Sequence, residues 1–505
     1  MDNLKKNCNV ILGIIVAVVI LAVVFILSGA NIYHYTSHME ADIASETLLA
    51  KEIYDNGYSQ PDTWVMSTAM RIIGPPRLAA FIYPYTGFDL NVSMGLACSL
   101  LMIVLVGTML FFNRQIGLGV LESLVMVLLC LVLSESNGET QRMLYLYASY
   151  YVGHFISMFI VYGLYARSLK NGKLTPWVIV TLPLAYINGM QGIHASIFFY
   201  LPLLGIECLR RVVLLIRKKK DGSLLISFWV AAITAIAFFT AQFLGTYMRS
   251  ETSRNIRHAP EKFFDVVLPL FKHVLGYGRM QWLVIIFILM AIAGYIVAAV
   301  NLKEKPWLWA AIPIPCGFVT FVLSTTFSTA EAAPRYYLMQ VFAVAVGVAM
   351  LMNLFKPEVT MWIAAAVAFY GVISAGAFYQ DLVQNDSSAS SEYVKMADWM
   401  EDSGYEYGYS TFDHANTMTI MSNDAVKIRP VNSLDKMEGM KWLSNATWYP
   451  PYKDDAGKTC YVVSKAKEVD FSAFVSDKHP TIVETKEFDN FTVYVLDHDY
   501  TLWVQ

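Results

Sequence analysis

The chain has 505 residues, 56% hydrophobic and only 15% charged, with a net charge of −3 and a mean hydropathy of +0.46. Soluble proteins carry about 25% charged residues, so this composition excludes an ordinary soluble enzyme and places the chain in the membrane class. The slightly acidic balance argues against a nucleic-acid partner, and the six scattered cysteines, none paired at metal-ligand spacing, argue against a zinc module or redox chemistry.

A helix needs about 20 apolar residues to cross the hydrocarbon core. The first apolar run, near 9–30, follows Lys5 and Lys6 and is longer than a signal-peptide core, so it reads as a retained first span. Further runs lie near 92–112, 116–134, 144–166, 175–190, 194–215, 223–245, 281–301, 307–326, 336–355 and 360–379. They predict a polytopic α-helical membrane protein of about eleven transmembrane helices, the third and fifth of them short. Basic residues mark alternate loops: Lys5 and Lys6, Arg114, Arg167 with Lys170 and Lys173, Arg210 and Arg211 with Arg217, Lys218, Lys219 and Lys220, then Lys303 with Lys305, and Lys356. This positive-inside pattern predicts a multi-pass protein of the cell membrane with a cytoplasmic N-terminus and everything after Tyr379 outside. Residues 1–380 thus form a transmembrane domain with two long outer loops, 31–90 and 246–280. Long ordered loops usually carry function.

From 385 to 505 charged residues become frequent and apolar runs shrink to strand length. The spacing predicts a helix over 390–400 and strands over 405–412, 426–431, 460–463 and 491–496, hence a small extracytoplasmic α/β domain.

The strongest local signal is Glu40-Ala41-Asp42-Ile43-Ala44-Ser45-Glu46, three carboxylates close after the first span. Ser45 is a candidate cap for a helix through Leu48, Leu49 and Ile53, an amphipathic segment suited to the bilayer surface. An ordinary solvated acidic turn is the competing reading. His154 lies within a span, where an ionisable group either contacts a ligand or is a neutral histidine bonded to a neighbouring helix. Arg335, after Pro334 at an outer boundary, is either a phosphate ligand or a snorkelling anchor beside Tyr336 and Tyr337. Arg249, Arg254 and Arg257 form either a lid over an anionic donor or a solvated face. The chain has no P-loop, dinucleotide fingerprint, zinc motif or serine elbow.

The stretch 40–71, with its D-x-x-S-E core, Trp64 and the Ser67-Thr68 pair before Arg71, resembles the first outer loop of a bacterial group in the glycosyltransferase C (GT-C) superfamily, related to protein O-mannosyltransferases. Tyr150-Tyr151-Val152-Gly153-His154, Asn188-Gly189-Met190-Gln191-Gly192, the segment 331–337 and the tail Tyr407-Gly408-Tyr409-Ser410-Thr411-Phe412 carry the same likeness. The related sequences tend to open the acidic motif with Asp, where this chain has Glu40, and to follow the Gly-rich turn with Arg, where it has His194.

The resemblance implies sugar transfer, with inversion, from a polyprenyl-phosphate-linked donor to an extracytoplasmic glycan, lipid or protein. Asp42 is then the catalytic base. Glu40, Glu46 and His154 are candidate ligands for a divalent metal, Mg²⁺ or Mn²⁺. Arg335, Arg257 and His194 are candidates for the donor phosphate, and Trp64 and Arg71 for the acceptor or sugar. Two other classes stand beside this one: a non-catalytic envelope-assembly scaffold of the same fold, and a lipid or sugar transporter or flippase. The latter needs ionisable groups deep in several spans, whereas this chain keeps most of its charges at the edges.

Overall fold

The computed structural model describes residues 2–67, 69–135, 138–147, 149–218, 223–245, 252–275, 280–453 and 457–503. Of the residues discussed above, Thr68, Lys219, Lys220 and Arg249 lie outside the described residues. The chain divides into two compact units: Met1–Leu27, Thr68–Gly74 and Ser99–Gln384 form the first, and Ser28–Ser67, Pro75–Cys98 and Asn385–Gln505 the second.

In the first unit, helices form where apolar runs leave the backbone no other hydrogen-bonding partner in lipid. Among the described residues of the chain, eight helices are long and apolar enough to cross a membrane. The other three runs read as spans are shorter or interrupted. Val120–Val132 has 13 residues, a reach of about 20 Å at 1.5 Å per residue. Thr181–Met190 follows a 3₁₀ turn at Pro176–Val180. Leu201–Ile216 follows a π-turn at Ser196–Tyr200 and carries Glu207, Arg210 and Arg211 inside it.

Val152–Asn171 and Pro334–Met352 are the central helices, with 89% and 83% of their apolar windows buried, against 28% for Gln281–Asn301. Gln281–Asn301 meets Met339–Met352 almost backbone to backbone: a Cβ on Gly294 would fall 2.0 Å from the Gly347 carbonyl oxygen. Small residues allow this approach, and dispersion across it replaces the hydrophobic drive that lipid cannot supply. Buried Glu207 ties three helices together. It accepts from Tyr165 Oη at 2.6 Å, from Arg210 Nε and Nη2 at 2.7 and 2.8 Å, from Arg211 Nε at 3.3 Å and from Ser227 Oγ.

Among its described residues the second unit has seven strands, β1 (Trp64–Val65), β2 (Tyr407–Thr411), β3 (Lys427–Val431), β4 (Ser444–Asn445), β5 (Thr459–Ser464), β6 (Ile482–Glu487) and β7 (Phe491–Leu496). Five form one sheet in the order β3-β2-β5-β7-β6, parallel through β3, β2 and β5 and antiparallel beyond. Alternation puts Ile428, Cys460, Val462, Val493 and Val495 on one face, where Met396, Met400 and Met418 of helices Glu392–Asp402 and Phe412–Met421 cover them.

Most of the 31–90 segment belongs to this unit, Thr68–Gly74 being assigned to the first. Its helix Ala41–Asp55 packs against Phe412–Met421, and β1 pairs with β4. Asn416 Nδ2 donates to Ser45 Oγ at 2.8 Å, Leu90 N to Asn423 Oδ1 at 3.0 Å, and Asn445 Nδ2 and Trp448 Nε1 to Glu52 at 2.5 and 2.9 Å.

Two expectations are corrected here. Ser45 does not cap the helix, which begins at Ala41 after Glu40; it lies inside, donating to the Ala41 carbonyl at 2.6 Å. Nor does the helix lie on the bilayer by an apolar stripe, for every residue from Ile43 to Ala50 is buried. Helices Phe412–Met421 and Pro75–Ile82 pack on it, so burial follows its tertiary neighbours rather than amphipathic spacing.

Candidate functional site

In the first unit, a polar and aromatic cluster gathers at the start of Val152–Asn171. The segment 69–74 lies against its first turn: a Cβ on Gly153 would sit 2.2 Å from the Ile73 carbonyl oxygen, so glycine is required. Ile73 N donates to Gln191 Oε1 at 2.5 Å, and the Arg71 guanidinium stands 4.7 Å from the Tyr150 ring centroid.

Buried His154 has Nδ1 2.8 Å from Asn188 Oδ1. Asn188 Nδ2 donates to the Leu184 carbonyl at 2.8 Å, which turns its oxygen toward the ring. Gln191 Nε2 also lies 3.4 Å from Nδ1, and the shorter Asn188 contact favours a proton on Nδ1. This contact links two helices, which is one of the two readings the sequence leaves open for His154.

His194 is stacked on Tyr336 at 5.5 Å and on Phe321 at 6.2 Å, with Tyr151 edge-on at 5.9 Å. Beside it, the Arg335 guanidinium lies 5.4 Å from the Tyr336 centroid, and Nη1 is 3.3 Å from Glu139 Oε1. The Arg335 backbone N–H donates to the other Glu139 oxygen at 2.7 Å. A narrow cleft runs between Tyr151, Phe155, Phe198, Phe321, Arg335 and Tyr336. Arginine has five N–H donors in a rigid fork, so the Glu139 contact leaves donors for an oxyanion. A cation at the mouth of an aromatic cleft suits an anionic head on an apolar or sugar-bearing ligand.

Arg71, His154, His194 and Arg335 are thus joined through Tyr150, Tyr151 and Tyr336. Arg257 is exposed, on a stretch tied to 327–330: Asn255 N donates to Phe327 O and Thr329 N to Ser253 O, both at 2.9 Å, and Lys262 Nζ donates to Ser328 O at 2.7 Å.

In the second unit, Glu40 and Asp42 are exposed at the start of Ala41–Asp55, where the helix dipole favours negative charge, and Glu46 one turn on is buried. Trp64 is 4% exposed, edge-on to Trp448 at 5.7 Å, and so presents no open face to a sugar. Among the described residues, no three His, Cys, Asp or Glu side chains gather closely enough to hold a metal ion. Of the candidate ligands, Glu40 and Glu46 lie in the second unit and His154 in the first.

Sequence reasoning overlooked Glu139 and Glu52. Glu139 opens the short helix Glu139–Leu144. Glu52 lies two turns beyond the acidic motif, and its partners, Asn445 and Trp448, are almost four hundred residues away.

No family model matches the sequence, and no curated protein matches it. Solved structures do. ArnT from Cupriavidus metallidurans in the apo state has a TM-score of 0.55 at 12% sequence identity, covering 95% of this chain and 97% of that one. The same protein bound to undecaprenyl phosphate has a TM-score of 0.53 at 12% identity, covering 97% of this chain and 99% of that one. The likeness spans the membrane helices and the small C-terminal sheet alike, and the chain therefore has the fold of the GT-C glycosyltransferases.

Proposed function

We propose that the protein is a membrane glycosyltransferase that takes a sugar from a polyprenyl-phosphate carrier and passes it to an acceptor outside the cytoplasm: a cell-envelope glycan, lipid or protein. The observation that carries this reading is the fold, matched over almost the whole chain by ArnT, one of whose structures holds undecaprenyl phosphate. The Arg335 cluster supports it, because transfer from such a donor generates a phosphate leaving group that needs cationic hydrogen-bond donors. The alternation of basic loops supports a cytoplasmic N-terminus and an outer C-terminal domain in the cell membrane.

The chemistry balances without a cofactor. A carboxylate, by resemblance Asp42, takes the proton of the acceptor hydroxyl. The hydroxyl oxygen bonds to the anomeric carbon, and the bond from that carbon to the phosphate oxygen breaks on the opposite side. The anomeric centre inverts, and the polyprenyl phosphate departs with the electron pair. Arg335, with His194, is suited to the phosphate oxygens. No step is routed through a metal.

The test is incubation of the purified full-length protein with a panel of polyprenyl-phosphate sugars, with and without Mn²⁺, following thermal stabilisation and donor turnover for wild type and Asp42→Asn. One donor that stabilises the protein, with turnover lost in the variant, supports the reading. A folded protein that neither binds nor turns over any donor favours the scaffold. A donor moved across the bilayer without bond cleavage favours the flippase.

A further inference from the structure

Val152–Asn171 carries the His154 cluster at its first turn and Arg167 and Lys170 at its last. Beside that last turn, next to the end of Leu90–Gln115, a cleft of 720 Å³ opens. Its walls include Leu110, Phe111, Arg114, Gln115, Arg167 and Lys170, and Asn171 closes the rim. Among the described residues, no carboxylate lines it. Among the described residues, Arg114 and Arg167 make no ion pair, and the Lys170 ammonium stands 5.5 Å from the Trp307 ring centroid.

Three cations and two side-chain amides thus converge without an internal anion. A second basic cleft, at Arg210, Arg217 and Lys303, differs in that Glu207 holds Arg210 through bonds of 2.7 and 2.8 Å. The uncompensated cleft also has an apolar wall, with Leu110 38% exposed. It lies at the end of two spans, where acyl chains and headgroups meet. The volume falls within the range of small-molecule sites, about 300–1,000 Å³, and arginine grips phosphate oxygens bidentately.

We propose that this cleft binds the phosphodiester headgroup of an anionic phospholipid, on the membrane face opposite the His154 cluster; the charge pattern assigns that face to the cytoplasm. The headgroup neutralises the three cations while an acyl chain lies along Leu110 and Phe111. This does not depend on sugar transfer, since the cleft is at the other end of the helix.

The experiment uses the full-length protein in detergent, with phosphatidylglycerol, phosphatidylcholine, polyprenyl phosphate and inorganic phosphate as separate probes. Retained lipid is counted by native mass spectrometry, and the thermal midpoint is followed in parallel. Phosphatidylglycerol should bind saturably and in preference to phosphatidylcholine. The double variant Arg114→Gln/Arg167→Gln should weaken its binding about 25-fold, from the usual contribution of each cation at a lipid surface. Arg114→Lys/Arg167→Lys should retain most of the binding, which separates lost charge from a misfolded helix end, and Arg217→Gln should change nothing. Equal retention by wild type and the double glutamine variant overturns the proposal. So does displacement of the lipid by inorganic phosphate, which identifies a free-anion site, or a preference for polyprenyl phosphate, which identifies a carrier site.

Discussion

Replacing Arg335 with glutamine separates structure from chemistry at the membrane cluster. The side chains of Arg335 and Glu139 are 34% and 20% exposed, and their closest contact is 3.3 Å. A pair so placed is screened by solvent and contributes about 1 kcal/mol or less. The Glu139 contact to the Arg335 backbone N–H survives the substitution. The thermal midpoint should therefore fall by no more than about 3 °C. A charge-assisted hydrogen bond to a phosphate is worth about 1.5–3 kcal/mol, so kcat/KM for the donor should fall about 10- to 150-fold. Arg335→Lys keeps the charge but not the planar fork and should recover only part of the loss. The assay is the initial rate of polyprenyl phosphate release against donor concentration. A folded Arg335→Gln protein with kcat/KM unchanged would refute the phosphate role and leave Arg335 as an interfacial anchor.

Asp42→Asn should cut turnover at least about 100-fold with donor affinity unchanged, measured by donor-induced thermal stabilisation alongside rate. Burial lowers the pKa of His414 against the opposing pull of Asp413. Its folded pKa thus lies below the unfolded value of about 6.5. The associated stability is present above that pH and is lost as pH falls through the folded pKa, so His414→Gln should flatten the acid limb of a thermal-midpoint profile. Gly347→Leu should push apart Gln281–Asn301 and Met339–Met352, costing about 1–3 kcal/mol or more and lowering the yield of monodisperse protein in detergent. Glu52→Ala strands two buried donors, Trp448 Nε1 and Asn445 Nδ2, at roughly 1–3 kcal/mol each. Glu52→Gln, which still offers one acceptor, should lose less in the same unfolding measurement.

The membrane class and most of the spans were readable because a run of about 20 apolar residues has few other fates. The four strands expected over 405–412, 426–431, 460–463 and 491–496 correspond to β2, β3, β5 and β7, and the expected helix over 390–400 to Glu392–Asp402. Each buries at least one face, which writes alternation or helical spacing into its residues. β6 escaped because Ile482–Glu487 is exposed at all six positions, so no buried face selects its side chains and the ladder to β7 supplies the pairing. Phe412–Met421 escaped for a related reason. It is buried from Ala415 to Ile420 on consecutive residues, and a helix enclosed on several sides has no polar stripe to betray its period.

What the carboxylates do was harder to read than where they are. Asp42 and Glu46 are one turn apart, so spacing puts them on one helix face and invites a joint role. Burial separates them: Asp42 is exposed at the helix start, whereas Glu46 is 1% exposed. The partners that enclose Ala41–Asp55 come from residues 75–82 and 412–421, and no local pattern can announce contacts made across such separations. A hydroxyl arriving from solvent reaches a carboxylate only where one is open. Within this motif Asp42 and Glu40 meet that condition and Glu46 does not. Access thus leaves Asp42 and Glu40 open to an acceptor, the proposed choice of Asp42 rests on resemblance, and Glu46→Gln should act through stability where Asp42→Asn acts through rate.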